Sequence, residues 1–362
     1  MSEKLKLGVV GCGGILTWAH LPAYLNIDEV EIVAFCDIII ERAKKKAELY
    51  AKEKNLSYTP AVFEDYHDLL AVPGLDAIDI CTPNYYHSII AVDALNSGIN
   101  VLCEKPDAVS VIEAEKMKAA AEKSGKTLMV IRNNRFRPVS TYLKNYIEEG
   151  KLGWVYAGRC GWQRRRGGPP HGSWFSDKKL SGGGPLIDLG VHMIDLSMWL
   201  MGNPKPVSVS GCTYNIFGND GSAEGKLKEG EISTFDVEDL AMAFVRFDNG
   251  SCLQIEVSWA SNVPEDDVFF ELRGTKAGAI NNTHTNGKVL IYGEDSNGDT
   301  TDIDPGILDW KGMAPHEKNI RNFVDVVFGK ASPVFVPEQG LNMIKILEAI
   351  YKSAETGHEI IL

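Results

Sequence analysis

The chain has 362 residues, 44% of them hydrophobic and 24% charged, with a formal net charge of −12. That length is ample for two domains with sizeable cores, and the acidic balance argues against a nucleic-acid or anionic-membrane partner. No apolar run reaches bilayer length, glycines break the N-terminal apolar run too early for a secretion signal, and seven scattered cysteines without metal-like spacing read as fillers in a reducing, cytoplasmic compartment.

The predicted elements begin with a short strand, Lys6 to Val10, that runs into the glycine turn Gly11-Cys12-Gly13-Gly14-Ile15 and then a helix. A second apolar run, Val30 to Cys36, ends in Asp37. Strand, glycine turn, helix, strand and acid is the order of a dinucleotide site. Gly11 permits a tight turn and Gly13 lets the backbone approach a pyrophosphate, for which the helix N-terminus supplies unpaired N–H groups. Asp37 would accept from the adenosine ribose and repel a 2′-phosphate, favouring NAD over NADP. Leu16 stands where the third glycine of the fingerprint is usual, so the turn alone also fits an ordinary tight turn.

Strands over Ala77 to Cys81, Ile99 to Cys103 and Thr127 to Ile131 follow, separated by helices over Tyr86 to Ser97 and Ser110 to Gly125. This repetition predicts a parallel, doubly wound sheet with ligands at the carboxyl ends of its strands. Gly11, Asp37, Thr82, Glu104 and Lys105 all fall at such ends. Lys105, before Pro106, is either a plain surface charge or a partly desolvated cation that hydrogen-bonds a substrate hydroxyl.

The pattern changes at Arg132 to Pro138, a polar, arginine-rich hinge. Gly153 to Arg166 then predicts a long strand on which Trp162, Arg164 and Arg166 share a face. The loop Gly167 to Asp177 carries His171, Trp174 and Phe175. These arginines and aromatics either grip a polyhydroxylated or acidic ligand or are solvated and structurally paired.

Gly182 to Asp195, GGGPLIDLGVHMID, opens on three glycines and continues as an almost wholly apolar helix. Helical spacing places Asp188, His192 and Asp195 on one face, within reach of one another. Asp188 beside His192 is a proton-transfer pair or a buried hydrogen bond that merely satisfies both groups. Beyond it, strand-like runs over Pro206 to Phe217, Val237 to Phe247, Ser251 to Ser261 and Val268 to Arg273, with a hairpin at Asp248-Asn249-Gly250, predict an antiparallel sheet. An apolar open face on it would call for a second subunit. Residues 218–231 read as a mobile loop, and His316 to Phe328 and Glu338 to Ala354 as closing helices. No metal-ligand cluster stands out.

The strings GVVGCGGI, CTPNYYHSIIAVDAL, VLCEKPDAVS, RFRP, GGGPLIDLGVHMIDL and FVPEQGLNMIKILEAIYKSAETGHEI together resemble the glucose–fructose oxidoreductase/inositol dehydrogenase family of NAD(P)-dependent sugar and polyol oxidoreductases. The resemblance spans essentially the whole chain. It implies an α/β protein with an N-terminal doubly wound Rossmann domain over residues 1–131. Residues 132–362 would form an α+β domain with an open, largely antiparallel sheet, commonly the interface of a homo-oligomer, a dimer or tetramer. It further implies that His192 is the general base, that Asp188 orients it, and that Lys105 stabilises the developing alkoxide. Gly11, Gly13, Gly14, Ile15 and Asp37 would bind NAD, with Thr82, Asn84, His87 and Glu104 lining its nicotinamide side. Arg164, Arg166, His171, Trp174 and Asp195 are the substrate-side candidates, Asp195 in a structural or a substrate-positioning role.

The implied activity is NAD-dependent transfer of hydride between the cofactor and a hydroxyl or carbonyl of a sugar, polyol or derivative. A redox-neutral glycosidase or lyase using transient oxidation is the alternative, and a nucleotide sensor a third reading. The joint presence of Lys105, Asp188 and His192 argues against the sensor, which needs no proton-transfer set.

Overall fold

The computed structural model describes residues 4–170, 172–218, 235–306, 308 and 313–362. The chain divides into two compact units, Met1–Asn133 with Gly312–Leu341, and Asn134–Lys311 with Asn342–Leu362.

In the first unit six strands form one parallel sheet: β1 (Leu5–Val10), β2 (Val30–Cys36), β3 (Ala61–Phe63), β4 (Ala77–Ile80), β5 (Asn100–Cys103) and β6 (Leu128–Val130). Their spatial order is β3-β2-β1-β4-β5-β6, the doubly wound order of a mononucleotide-binding pair. Helices cover both faces, which is why β4 is buried at every position and β1 at all but one. The helix Pro315–Val327 returns to this unit, where Ile320, Phe323 and Val324 join the core built on β1 and β2.

The helix Val111–Ser124 shows how local signals set boundaries. The Ser110 side chain accepts from Glu113 N at its start, and Gly125 ends it in the left-handed conformation.

The second unit is built on a nine-stranded sheet: β7 (Val155–Gln163), β8 (Pro206–Tyr214), β9 (Leu240–Phe247), β10 (Cys252–Ser258), β11 (Asp267–Gly274), β12 (Ala277–Asn281), β13 (Leu290–Glu294), β14 (Thr300–Ile303) and β15 (Ile360–Ile361). The order is β14-β13-β12-β11-β7-β10-β9-β8-β15. The β7–β10 pair is parallel and the other pairs are antiparallel. Along β9 the burial alternates, with Ala241, Ala243, Val245 and Phe247 inside and Leu240, Met242, Phe244 and Arg246 on the open face.

Two stretches differ from their sequence reading. The strand expected to run to Arg166 stops at Gln163; beyond it Arg164 N still donates to Ser258 O, and Arg166 forms an isolated bridge with Ala260. In the polar stretch 132–138, Arg132, Asn134 and Arg135 are all buried. Arg132 pairs with Asp107 and Arg135 with Asp195. Buried guanidinium groups persist only when paired in this way.

Candidate active site

In the first unit the glycine turn is shaped by its surroundings. Gly11 has φ +97°, and a Cβ there would collide with the Cys81 carbonyl, so only glycine fits. A Cβ on Gly13 would meet nothing within 4 Å, which leaves that backbone open to a pyrophosphate. Asp37 is 7% exposed. One of its oxygens accepts from Cys12 N and the other from Ile39 N, each at 2.8 Å. An ionised carboxylate has about four acceptor positions, so two such bonds still leave room for ribose hydroxyls. Ile38 and Ile39, immediately after it, are exposed apolar side chains. Thr82 Oγ1 is buried without a hydrogen-bonding partner, an orphan that a bound ligand would satisfy. These features fit a dinucleotide.

Leu16, in place of the third glycine, is fully buried, and the helix begins as a π-helical turn, Leu16–His20, before Leu21–Leu25 continues as α. That turn carries His20 inward to 0% exposure. Its Nδ1 lies 2.7 Å from Asp79 Oδ2 on β4, and its Nε2 2.8 Å from Glu104 Oε1 at the end of β5. Tyr24 donates to the same Asp79 oxygen at 2.9 Å. Burial pulls His20 toward neutrality, but the Asp79 carboxylate outweighs it and holds the imidazole well above the usual histidine range. Burial likewise pushes Glu104 up, but the His20 hydrogen bond and charge prevail and bring it down to about 2.

Sequence reasoning missed this chain. Its signal was present as one histidine in an apolar helix and one aspartate in an apolar strand, a combination that needs a partner.

Two expected cofactor contacts are placed differently. His87 is fully buried, its Nδ1 2.7 Å from Pro106 O and its Nε2 2.9 Å from Thr82 O. Its ring ties two strand-end loops together behind the surface and does not line it. Glu104, 5% exposed, is turned inward to His20 and accepts from Lys105 N at 3.0 Å. Asn84 is buried at the start of the helix Tyr85–Asn96. The Lys105–Pro106 peptide is cis.

In the second unit the stretch around Asp188 also begins as a π-helical turn, Leu186–Gly190, followed by the α-helix Val191–Leu200. Among the described residues these are the two π-helical segments, and such turns are frequent at functional sites. Asp188 stands in the π-helical turn, and His192 and Asp195 in the α-helix that continues it. Asp188 Oδ2 accepts from Trp259 Nε1 at 3.1 Å. The His192 ring lies 6.1 Å from that of Trp162, tilted by 47°. Asp195 accepts from Arg135, which donates from Nε at 2.9 Å and from Nη2 at 2.7 Å.

Two of the glycines that open this helix are explained by Glu238 and Tyr351. Its carboxylate accepts from Gly184 N at 2.9 Å, Leu186 N at 3.0 Å and the Tyr351 hydroxyl at 3.0 Å. It thereby satisfies helix-start N–H groups that would otherwise be orphaned. Burial nonetheless pushes the Glu238 carboxyl above its ordinary value. A Cβ on Gly184 would overlap the Glu238 carbonyl, and one on Gly183 the Tyr351 hydroxyl. Gly184→Ala is therefore expected to destabilise the second unit by about 1–3 kcal/mol, since a backbone carbonyl cannot yield as a side chain can. A thermal midpoint equal to wild type would contradict this.

The remaining substrate-side candidates are engaged with protein. Arg164 donates to Gly167 O at 2.9 Å and stacks over Trp162. Arg166 donates to Ser261 O and Asn262 Oδ1, each at 3.1 Å, and lies over Phe217. Trp174 stacks on Phe175 with ring centroids 3.8 Å apart. His171, and residues 219–234 with most of the expected mobile loop, lie outside the described residues.

Comparison with known proteins agrees with this fold. An oxidoreductase-family profile for an NAD-binding Rossmann fold matches residues 5–132, and that family's C-terminal alpha/beta domain matches 144–362. D-glucoside 3-dehydrogenase of Escherichia coli (strain K12) is 32% identical, covering 99% of this chain and 98% of the relative. Levoglucosan dehydrogenase of Pseudarthrobacter phenanthrenivorans is 27% identical over 77% of this chain and 74% of its own. A solved levoglucosan dehydrogenase, in complex with NADH and L-sorbose, shares the fold with a TM-score of 0.83 at 23% identity, covering 99% of each chain. With both profiles matched in order along its length, the chain belongs to the glucose–fructose oxidoreductase/inositol dehydrogenase family of NAD-binding oxidoreductases.

Proposed function

We propose that the protein oxidises a hydroxyl group of a sugar, polyol or sugar derivative, reversibly and with NAD. The observation that carries this reading is the joint presence of Lys105 at the carboxyl end of the parallel sheet and of Asp188 and His192 on a helix whose start is held by Glu238. NAD, when bound, supplies the hydride acceptor.

His192 takes the proton of the reacting hydroxyl, which leaves the oxygen electron-rich enough for the C–H bond to break. Asp188, held by Trp259, orients that imidazole and shares the substrate's hydroxyls. The Lys105 ammonium stabilises the alkoxide as its charge develops. Asp195 receives the structural one of its two roles, because Arg135 engages both its oxygens. Gly13, Gly14 and Ile15 receive the pyrophosphate, Asp37 the adenosine ribose with Ile38 and Ile39 flanking the base, and Thr82 and Asn84 the nicotinamide side. Arg164, Arg166, His171 and Trp174 remain proposed substrate contacts. Residues 1–131 carry cofactor binding and 132–362 substrate binding, the returning helix Pro315–Val327 excepted.

The similar proteins named above act, by name, on a glucoside and on levoglucosan, which supports a carbohydrate substrate here. A dimer or tetramer through the open face of the nine-stranded sheet is part of the same reading, supported by Tyr214 and Phe244 exposed on that face. So is a cytoplasmic setting, supported by seven cysteines that all carry free thiols. No helix among the described residues is long and apolar enough to cross a membrane.

The test is reduction of NAD+ and of NADP+ by the purified protein against polyols, aldoses, sugar acids and glycosides. Sustained NADH formation with one class, and weaker use of NADP+, is the expected result. A preference for NADP+ would overturn the role given to Asp37. Consumption of a glycoside without NADH would replace the net oxidation with a redox-neutral reaction.

A further inference from the structure

We propose that His20 is a positioning residue for this reaction: bridging Asp79 and Glu104, it fixes the Glu104 side chain and, through it, the main chain from which Lys105 projects. This inference rests on the catalytic reading of Lys105 given above.

The geometry is a continuous buried chain. Tyr24 donates to Asp79, Asp79 faces His20 Nδ1, His20 Nε2 faces Glu104 Oε1, and Glu104 Oε2 accepts from Lys105 N. His20 and Asp79 are 0% exposed and Glu104 5%. A neutral imidazole donates from only one nitrogen, so contact with a carboxylate at both requires the doubly protonated ring or a protonated carboxyl. With Asp79 and Glu104 on either side, the imidazolium is the favoured arrangement, and the directions found for His20 and Glu104 agree with it.

The other titratable groups facing this chain are Tyr24 on its own helical stretch, Cys81 with Sγ 3.6 Å from Nδ1, His316 with its ring 6.1 Å away, and Cys103 and His87, both fully buried beside Glu104. The charges of Lys105 and His316 act on Glu104 in the same direction as His20. Burial and the nearby Asp79 push the Cys81 thiol up to about 12, so it remains neutral and does not compete for the proton.

Deleting the central ring leaves two carboxylates facing one another in a water-poor interior. Glu104 must then move, which breaks its bond to Lys105 N, or take up a proton, which leaves a weaker neutral acceptor there; in either case its hold on Lys105 N is weakened. Tyr24, Asp79, His20 and Glu104 have no role at the reacting atoms in this proposal, so the effect falls on placement of the Lys105 ammonium.

The experiment combines kinetics with a measurement that needs no turnover. In 15N NMR of the protein without NAD, the His20 ring is expected to keep both protons well above the ordinary histidine value of about 6.5; titration in the ordinary range would overturn the inference. His20→Gln is expected to lower kcat about 100-fold, the scale of a small misplacement of a catalytic group, with NADH affinity unchanged. Asp79→Asn, which preserves shape, is expected to show the same split, and serves as the test if His20→Gln does not fold.

In a Lys105→Met background His20→Gln should cause no further loss. Full kcat in His20→Gln or Asp79→Asn, or losses that multiply with Lys105→Met, would overturn the positioning role. Full kcat in Lys105→Met alone would instead sink the catalytic reading of Lys105, so the two failures are distinguishable.

Discussion

Replacing His192 with asparagine is expected to lower kcat by about 10²- to 10⁴-fold, the usual contribution of a positioned general base, while NADH binds as before. Asparagine keeps a polar group of moderate size at a position where the helix is otherwise apolar, and His192 takes no part in the dinucleotide features of the first unit. The loss should fall on kcat and kcat/KM together, because the proton is taken only as the transition state forms. Raising the pH should recover part of the rate, since hydroxide and solvent-ionised substrate replace the missing base. Asp188→Asn should produce a smaller loss in the same parameters, because Trp259 Nε1 donates to an Asp188 oxygen and the amide oxygen can still accept it. Unchanged kcat in His192→Asn would remove the general base from the proposed mechanism.

The second large effect is on stability and separates the two roles open to Asp195. Arg135 is 2% exposed and Asp195 6%, and they form two parallel N–H···O bonds, a geometry in which charge assistance and shape reinforce each other. Arg135 also lies over the Trp199 ring, its guanidinium carbon 5.7 Å from the centroid. Arg135→Met is expected to cost about 3–5 kcal/mol of stability, because it strands a carboxylate in the interior. The double variant Arg135→Met/Asp195→Leu should recover much of that loss, since two apolar groups need no partner.

Asp195→Asn should lower the thermal midpoint while the protein that remains folded keeps its kcat and its KM for substrate. A raised KM with an unchanged midpoint would reverse the assignment and make Asp195 a substrate contact.

The outcome for Asp195 shows where sequence periodicity reached its limit. Spacing of three and four residues correctly marks Asp188, His192 and Asp195 as polar groups in a buried helix, because apolar neighbours at nearly every other position leave no other place for it. The partner that captures Asp195 is Arg135, 60 residues away, in a stretch that reads as a polar, arginine-rich hinge. Side-chain polarity predicts exposure unless a distant counter-charge is known, and no local pattern reveals one. The same holds for Glu104 and His87, which read as cofactor contacts from their place at strand ends. Both are turned into the protein by partners, His20 for one and the Thr82 and Pro106 carbonyls for the other.

What the sequence by itself determined is the architecture and the chemical inventory. Continuous apolar strands alternating with helices demand a parallel sheet covered on both faces, and the alternating strands after residue 200 demand a sheet with one face open. The glycine turn followed by an acid at the next strand end specifies a dinucleotide site, because those backbone requirements are local. What only the tertiary structure decided is which polar side chains face ligand and which face one another. His20 with Asp79 and Glu104, Glu238 with Gly184 and Tyr351, and Arg135 with Asp195 are each joined across 25 or more residues of chain. Buried charge is tolerated only where such distant groups converge, so its placement is a property of the folded chain and not of any segment.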